Sequence, residues 1–288
     1  MSKNQFEAAK AKGWQCFYDL PIGYWRAHHQ LLSEEKEKQA DWAMTLTGFD
    51  SSEEKLARKD EELELADQIF VASQFTADSL KYYPKKLDTN IHVIPYGFPK
   101  VNRTIEERTY DFHKSKRPLK LLFVGGLSQR KGLSYLFEAV EHFGASVELT
   151  VVGKKGEENC KPLNEALKKH TWIPTVPHHK ILELRRKSDL LLFPSRFEGF
   201  GLVITEAMSQ GTPVIATART VAPDIITDNV DGFLVEAASS FSIIVKIQKI
   251  LSKPEQLEKM GKAAIKTAQQ RPWEVYGQEL ASTIKKIT

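Results

Sequence analysis

The sequence has only two cysteines, Cys16 and Cys160, among its 288 residues. Two thiols so far apart build neither a disulfide framework nor a zinc-binding pattern, which favours a reducing compartment. No uninterrupted apolar run approaches the roughly 18 residues that a membrane-spanning helix needs. Met1 to Lys12 also lack the apolar centre of a secretory signal. We therefore expect a cytoplasmic protein.

Neither sign of charge dominates the sequence. There are 41 basic and 37 acidic side chains, which leave a net charge of +4. This balance gives no reason to expect nucleic acid as a partner, although it suits an anionic ligand or a brief contact with an anionic membrane. Lys81, Lys85 and Lys86 beside Tyr82 and Tyr83 are candidates for such peripheral membrane contact, with an ordinary exposed face as the alternative.

From residue 119 onward, short apolar runs alternate with amphipathic helical stretches. This alternation predicts βαβ units and a parallel sheet covered on both faces. Glycine or proline follows several of the runs, so ligand-binding loops are expected at the carboxyl ends of the strands. The predicted strands are Leu119–Val124, Val147–Val152, Leu190–Phe193, Pro213–Ala216 and Phe233–Val235, and the helices between them include Ser134–Phe143, His179–Lys187 and Val203–Ser209.

The first hundred residues carry a weaker version of the same pattern, and the last fifty are helical. Pro99–Pro118 is polar and charged, which favours an interdomain linker. Pro254 and Pro272 separate the terminal helices. The predicted strands are Gln15–Tyr18, Ile69–Ala72 and His92–Ile94, and the predicted helices are Tyr24–Asp41, Ser51–Ala66, Ser239–Leu251, Glu255–Gln269 and Trp273–Ile287.

One candidate binding loop runs from Pro194 into the helix that follows it. Gly199 and Gly201 allow the backbone to turn sharply and to approach a ligand closely. Free N–H groups at a helix start bind anions, helped by the helix dipole. Glu198 lies in the loop, and Glu206 lies about a turn inside the helix, where a carboxylate can accept two hydrogen bonds from a ribose diol.

A second candidate loop follows the strand that ends at Val124. Gly125 and Gly126 form the turn, and Arg130 with Lys131 supplies two positive charges to a departing diphosphate. The loop is not a Walker A motif, because no Ser or Thr follows a Gly-Lys pair.

Each of these residues also has an ordinary structural interpretation. Arg130 and Lys131 could be a solvated helix start. Glu206 could pair with a neighbouring lysine on the helix surface. Glu198 could cap the helix that follows it. Adjacent histidines such as His178 and His179 do not share a face, so a loop and helix start is favoured there over a metal site.

These motifs resemble the family 4 glycosyltransferases, which are retaining enzymes of the GT-B fold. The similarity runs from about Trp14 to the end of the chain and is most specific in the E-x7-E motif. The stretches that carry it are Glu198 to Glu206, the glycine-rich loop ending at Lys131, 211–217, 222–226, 231–235, 66–73 and 93–97.

The resemblance implies an α/β, GT-B-like fold with a complete Rossmann-like C-terminal domain and a partial Rossmann-like N-terminal domain. It places the acceptor-side domain at 1–105, the donor domain at 106–271 and a helix that crosses back at 272–288. Lys131, with Arg130 or the backbone of Gly125 and Gly126, would hold the diphosphate, and Glu206 would hold the ribose. Glu198, Gly199, Phe200, Gly201 and Leu202 would hold the sugar and distal phosphate, with Val176 and Pro177 near the base.

The implied reaction is the retaining transfer of a hexose from a nucleotide-diphosphate sugar to a hydroxyl of a saccharide or glycolipid. No D-x-D triplet occurs, which agrees with the family's metal-independent chemistry, and no cofactor is expected. The alternative is a non-catalytic donor-binding subunit, or a fragment, that needs a partner chain to complete the N-terminal domain. A nucleotide-binding module without turnover is a further alternative, and the E-x7-E context disfavours an epimerase.

Overall fold

The computed structural model describes residues 2–101, 108, 110 and 112–288. These residues form two parallel sheets, each with helices packed against it. The strands are β1 Phe17–Leu20, β2 Gln68–Val71, β3 Asn90–Val93, β4 Leu119–Val124, β5 Val147–Val152, β6 Thr171–Ile173, β7 Leu190–Phe193, β8 Val214–Thr217 and β9 Phe233–Val235.

The helices connect these strands or follow the last of them. Their bounds are α1 Ser2–Ala11, α2 Trp25–Lys38, α3 Glu53–Leu65, α4 Gln74–Ser79, α5 Phe112–Ser115, α6 Leu133–Glu141, α7 Lys161–Lys168, α8 His178–Lys187, α9 Leu202–Ser209, α10 Ala222–Ile225, α11 Ser240–Ser252, α12 Glu255–Gln270 and α13 Trp273–Ile287. Short 3-10 turns cover 40–45, 80–82, 129–131 and 144–146.

The smaller sheet has the order β1-β2-β3 with parallel pairing throughout. Ile69 and Val71 of β2 pack with Leu63 of α3 and Leu80 in one buried cluster. The crossover helices therefore lie on one face of this sheet, and the carboxyl ends of its strands point toward the larger sheet.

The larger sheet has the order β6-β5-β4-β7-β8-β9. Its central strands are buried on both faces: Phe123 packs in one apolar cluster, and Leu122 and Phe193 pack in another on the opposite face. The chain runs outward from β4 to β6 and then returns to place β7 beside β4. The order therefore reverses between β4 and β7, the position at which open α/β sheets bind ligands.

The predicted α/β fold with parallel sheets is confirmed. β6 was not predicted, because three residues with an exposed Thr171 give too short a signal. The linker prediction falls partly on 102–107, 109 and 111, which lie outside the described residues. In the described remainder Tyr110 is buried, and its hydroxyl donates to the Gly211 carbonyl at 2.9 Å, while the linker itself stays a prediction. A side chain at Gly211 or Gly261 would occupy the space of the Tyr110 ring.

The last helix returns to the smaller sheet's end of the molecule. The Phe98 amide donates to the Arg271 carbonyl at 2.8 Å, and the rings of Tyr96 and Trp273 stack with centroids 5.7 Å apart. The predicted domain boundary between 105 and 106 lies outside the described residues, so the division at that point stays a prediction. None of the helices in the described ranges combines the length and apolarity needed to span a membrane.

Candidate functional site

Two loops meet at the point where the strand order reverses. Residues 125–132 follow β4, and residues 194–201 follow β7. Gly132 has a φ of 71°, and a Cβ there would lie 2.2 Å from the Pro194 carbonyl oxygen. The Arg196 amide donates to the Arg130 carbonyl at 2.8 Å. The sequence needs glycine at 132 because any side chain would push the two loops apart.

The basic pair of the first loop faces the carboxylate of the second. Lys131 is only 8% exposed, and its Nζ contacts Glu198 Oε2. Nη1 of Arg130 lies 3.3 Å from the same oxygen and donates to the Phe197 carbonyl at 2.8 Å. Burial lowers the pKa of the Lys131 ammonium group. The interpretation of these residues as a solvated helix start is therefore wrong.

These charges form a site with an excess of positive charge. Two cations face one carboxylate in a region that excludes most water, where charge-assisted hydrogen bonds are strong. The Glu198 carboxylate contacts both cations, so any larger anion bound there must compete with it. A diphosphate carries more negative charge than one carboxylate, which gives it an advantage in that competition.

The helix after the second loop begins without a side-chain cap. Its N-cap residue is Gly201, and the described part of the chain shows no side-chain hydrogen bond that caps it. The alternative in which Glu198 caps this helix is therefore wrong. The uncapped end of α9 leaves its dipole and amide groups facing the same edge of the sheet as Lys131, which suits an anion.

Glu206 pairs with a buried arginine that lies outside the predicted motifs. Arg185 of α8 is 1% exposed, and its Nη2 contacts Glu206 Oε2. Its Nε and Nη1 have no hydrogen-bond partner among the described residues. Burial lowers the pKa of the Arg185 guanidinium. The signal for Arg185 is its place four residues after Ile181, on the apolar face of a helix where a surface charge is out of place.

A buried ion pair ties α2 to both loops and was also missed. Glu35 is 0% exposed, and its Oε2 lies 2.5 Å from Nε of Arg196 in the second loop. Nε2 of Gln129 in the first loop donates to Glu35 Oε1 at 2.7 Å. One carboxylate from the N-terminal part therefore holds both binding loops of the larger sheet.

The N-terminal part also contacts the second loop at its glycine. A Cβ at Gly199 would lie 2.1 Å from the Pro21 carbonyl oxygen. The hydroxyls of Ser73 and Thr76, at the start of α4, donate to the Gly199 carbonyl at 2.5 and 2.9 Å. These contacts fix the backbone between Glu198 and Phe200.

The other predicted site residues lie at the same edge. Gly125 and Gly126 follow β4, and a Cβ at Gly126 would meet nothing within 4 Å. Val176 is half-buried, and Pro177 is the N-cap of α8, just past the carboxyl end of β6. The structure thus brings the predicted residues together, and their individual roles stay predictions. In the described part of the chain, no three His, Cys, Asp or Glu side chains group as metal ligands.

His28 of α2 lies beside the second loop and gives the fold a pH dependence. Its ring packs 5.1 Å from that of Phe197 and 5.5 Å from that of Phe49. Burial lowers the pKa of His28 from 6.5 to about 4. Between those two pH values the unfolded chain binds a proton that the folded chain does not, so stability is present above 6.5 and is lost as the pH falls.

We expect His28→Gln to flatten the loss of stability between pH 7 and pH 5. The reason is that the substitution removes the group that takes up a proton on unfolding. Urea unfolding at both pH values measures the change in stability. The control is His179→Gln, an exposed position at the start of α8. A wild-type slope in the His28 variant would show that another group carries the acid sensitivity.

Comparison with known proteins gives a family match over the larger sheet. Residues 105–267 match the family described as Glycosyl transferases group 1. A D-inositol 3-phosphate glycosyltransferase of Segniliparus rotundus is 31% identical over 175 residues, which are 57% of this chain and 39% of the relative. An alpha-maltose-1-phosphate synthase of Mycolicibacterium smegmatis is 26% identical over 194 residues, 60% of this chain and 49% of the relative.

Solved structures share the fold across both sheets. The sucrose-phosphate synthase of Thermosynechococcus elongatus has a TM-score of 0.73 at 23% identity, covering 95% of this chain and 68% of that one. Anabaena HepE in complex with UDP and glucose has a TM-score of 0.73 at 20% identity, covering 98% and 74%. The matched segments span less than half the length of the two sequence relatives above.

Proposed function

The chain belongs to the family of group 1 glycosyl transferases, and from this premise we propose that it binds a nucleotide-diphosphate sugar and transfers the hexose. The acceptor in this proposal is a hydroxyl of a saccharide or glycolipid, and the configuration at the anomeric carbon is retained. Retention and acceptor class rest on the resemblance of the E-x7-E block to retaining enzymes. The donor class is supported by HepE, whose structure contains UDP and glucose.

The observation that carries the proposal is the pair Arg130 and Lys131 at the reversal of strand order. When the bond between the sugar and the diphosphate breaks, negative charge grows on the leaving phosphate. Cations held in a dry, fixed position stabilise that charge without reorganising, which is the largest electrostatic contribution in such reactions. Lys131 meets this requirement because it is buried and its Nζ is held over the Phe193 ring at 4.8 Å.

In this proposal Glu198 changes partners when the donor binds. Its carboxylate leaves Lys131 to the diphosphate and accepts hydrogen bonds from hydroxyls of the transferred sugar. Glu198 can come close to the sugar because Gly199 and Gly201, on either side of Phe200, let the backbone approach the ligand. Ser73 and Thr76 hold the Gly199 carbonyl in place. In this proposal Arg130, Lys131 and the start of α9 neutralise the charge of the diphosphate, so that no metal or cofactor is needed for that purpose.

Glu206 is proposed to bind the ribose, with Arg185 holding one carboxylate oxygen. The Glu206 side chain keeps 19% of its surface exposed, whereas that of Arg185 keeps 1%. The arginine binds one carboxylate oxygen and fixes the rotamer of the glutamate, which leaves the other oxygen for the ribose hydroxyls.

We expect Glu206→Gln to weaken binding of the preferred nucleoside diphosphate about tenfold, because a hydrogen bond to a charged group contributes about this much to affinity. Binding of the 2′,3′-dideoxy analogue should stay within about twofold of wild type, because it lacks the hydroxyls. Calorimetric titration of both nucleotides measures this, with Glu183→Gln on the exposed side of α8 as control. An equal loss of affinity for both nucleotides would show that Glu206 does not bind the ribose hydroxyls.

A second candidate function is a donor-binding subunit whose acceptor side is completed by a partner chain. Among the described residues, β1 pairs only with β2, so its outer edge presents unpaired backbone groups. An open edge is a template for a strand from another chain. Transfer activity of the purified chain alone would decide against this candidate.

A further inference from the structure

A cavity with an excess of positive charge lies at the amino ends of strands of the larger sheet, on the edge opposite the donor site. Its volume is about 250 Å³. The residues around it precede or begin β4, precede β7, or end α8, whereas both loops of the candidate site follow their strands. Beside the Tyr110 ring, the charged residues that line it in the described part of the chain are Arg108, Arg117, Lys120, Arg186, Lys187 and Asp189.

The carboxylate among these lining residues is already committed to one of the cations. Asp189 is 5% exposed, and its two oxygens accept from Nη1 and Nη2 of Arg117 at 2.5 and 2.9 Å. One of these oxygens also accepts from the Lys120 amide at 2.8 Å. Two-point pairing of this kind is among the strong charge-assisted interactions. Asp189 therefore balances Arg117 and leaves the other four cations without a carboxylate of their own in the described lining.

Neutral groups hold Arg108 in place. Its Nη1 donates to the Gln210 carbonyl at 2.6 Å and to the Thr212 hydroxyl at 2.7 Å, and its Nη2 donates to the Ser188 carbonyl at 2.7 Å. Its Nε is buried and has no hydrogen-bond partner among the described residues. Burial lowers the pKa of this guanidinium, so its charge has lost part of its hydration. A partly desolvated charge without an anion opposite it carries a cost that a bound anion would relieve.

The remaining cations of the lining are uncommitted. The side chains of Lys120, Arg186 and Lys187 make no hydrogen bond or ion pair within the described ranges. The ordinary interpretation of such charges is a solvated surface. Here, however, Lys120 and Arg186 are half-buried, and all three line one cavity with Arg108. Charges of one sign that line a concave site concentrate ions of the opposite sign in it.

We propose that this cavity binds a small phosphate-bearing anion, with Arg108 and Arg186 as its main contacts and Lys120 and Lys187 beside them. A phosphate monoester carries a charge of about −1.5 to −2 at neutral pH and offers three acceptor oxygens, which suits four cations better than a carboxylate does. The guanidinium fork of arginine matches the geometry of phosphate.

The size of the cavity restricts the ligand to a compact anion. Pockets for drug-sized ligands measure roughly 300–1,000 Å³, and this cavity is smaller. Inorganic phosphate or a small phosphate monoester fits such a space, whereas a nucleotide-diphosphate sugar does not. The inference therefore goes beyond the proposed function and does not depend on it.

The test is calorimetric titration of inorganic phosphate, glycerol 3-phosphate and acetate into the full chain. We expect at least one of the two phosphates to bind the wild-type protein, and acetate to bind at least tenfold more weakly. Tighter binding of glycerol 3-phosphate would identify the ligand as a monoester, and tighter binding of inorganic phosphate would identify it as the free ion. Acetate that binds as tightly as both phosphates would contradict the phosphate class.

Arg186→Gln should weaken phosphate binding about tenfold, because a hydrogen bond between charged groups is lost. Lys187→Gln, at an exposed position, should weaken it as well and provides a second test if Arg186→Gln lowers the thermal midpoint. The matched control is Arg58→Gln, which changes an exposed arginine of α3 outside the cavity. Its phosphate affinity should equal that of the wild-type protein.

Lys131→Ala separates this cavity from the donor site, which is also expected to attract phosphate. Phosphate binding that Arg186→Gln weakens and that persists in Lys131→Ala supports the cavity, whether or not the protein binds a nucleoside diphosphate. Phosphate binding that only Lys131→Ala weakens overturns the inference, because the anion then occupies the donor site. The inference also fails if the wild-type protein binds neither phosphate at millimolar concentration, or if Arg58→Gln loses as much affinity as Arg186→Gln.

Discussion

Lys131→Ala is expected to weaken nucleoside-diphosphate binding at least tenfold, about 1.4 kcal/mol. The buried ammonium group has less access to water than the Arg130 guanidinium, so its charge acts in a low effective dielectric. Arg130 cannot take over its role, because Nη1 of that side chain is held by the Phe197 carbonyl. Calorimetric titration of the preferred nucleotide into both proteins measures the change.

Lys155→Ala is the matched control for this experiment. Lys155 lies after β5 at the same edge of the sheet, and its Nζ stands 4.9 Å over the Trp172 ring, much as Lys131 stands over Phe193. It is committed to Asn164 and Glu158, so its loss should leave nucleotide affinity unchanged. An unchanged dissociation constant in Lys131→Ala, or an equal loss in Lys155→Ala, would contradict the assignment of the phosphate site.

Glu35→Ala is expected to lower the free energy of unfolding by about 3–5 kcal/mol, because it leaves a buried charge unpaired. Arg196 is 2% exposed and has Glu35 as its ion-pair partner, and Gln129 would lose an acceptor as well. Urea unfolding measures the change. Glu37→Ala, an exposed glutamate on the same helix, is the control and should change stability by less than about 0.5 kcal/mol.

Glu35→Gln separates stability from the placement of the loops. The amide oxygen still accepts from one of the two donors, Arg196 or Gln129, so the variant should lose less stability than Glu35→Ala, yet it lacks the charge that holds both loops. Nucleotide affinity should fall in this variant although Glu35 touches no proposed ligand position. A loss of stability in Glu35→Ala no greater than that in Glu37→Ala would show that the ion pair does not join the two parts of the molecule.

The strands of the larger sheet other than β6 could be predicted from the sequence, because the central ones are buried on both faces. Such strands are continuous apolar runs, as in Leu190–Phe193, and the glycines that follow them mark the loops. The candidate site could be predicted to the same extent, since its glycines and charges are consecutive in the chain. Both loops were placed correctly at one edge of the sheet.

The residues that support the site could not be predicted in this way. Glu35 and Arg196 are 161 positions apart, and neither stands in a pattern that distinguishes a buried charge from a surface one. The polar neighbours of Tyr110 predict a linker, whereas the burial of its ring depends on Gly211 and Gly261, more than 100 residues away. Long-range pairing of this kind leaves no local periodicity to detect.

The direct test of the central claim is calorimetric titration of UDP, GDP and ADP into the unmodified protein. We predict that one of the three binds with one site per chain, and that the bound nucleotide identifies the base of the donor. The phosphates are expected to displace Glu198 and to bind Lys131 through opposite charges. Because salt screens this attraction, the affinity should decrease as the salt concentration rises. If none of the three binds at millimolar concentration, the two loops do not form a donor site in this chain.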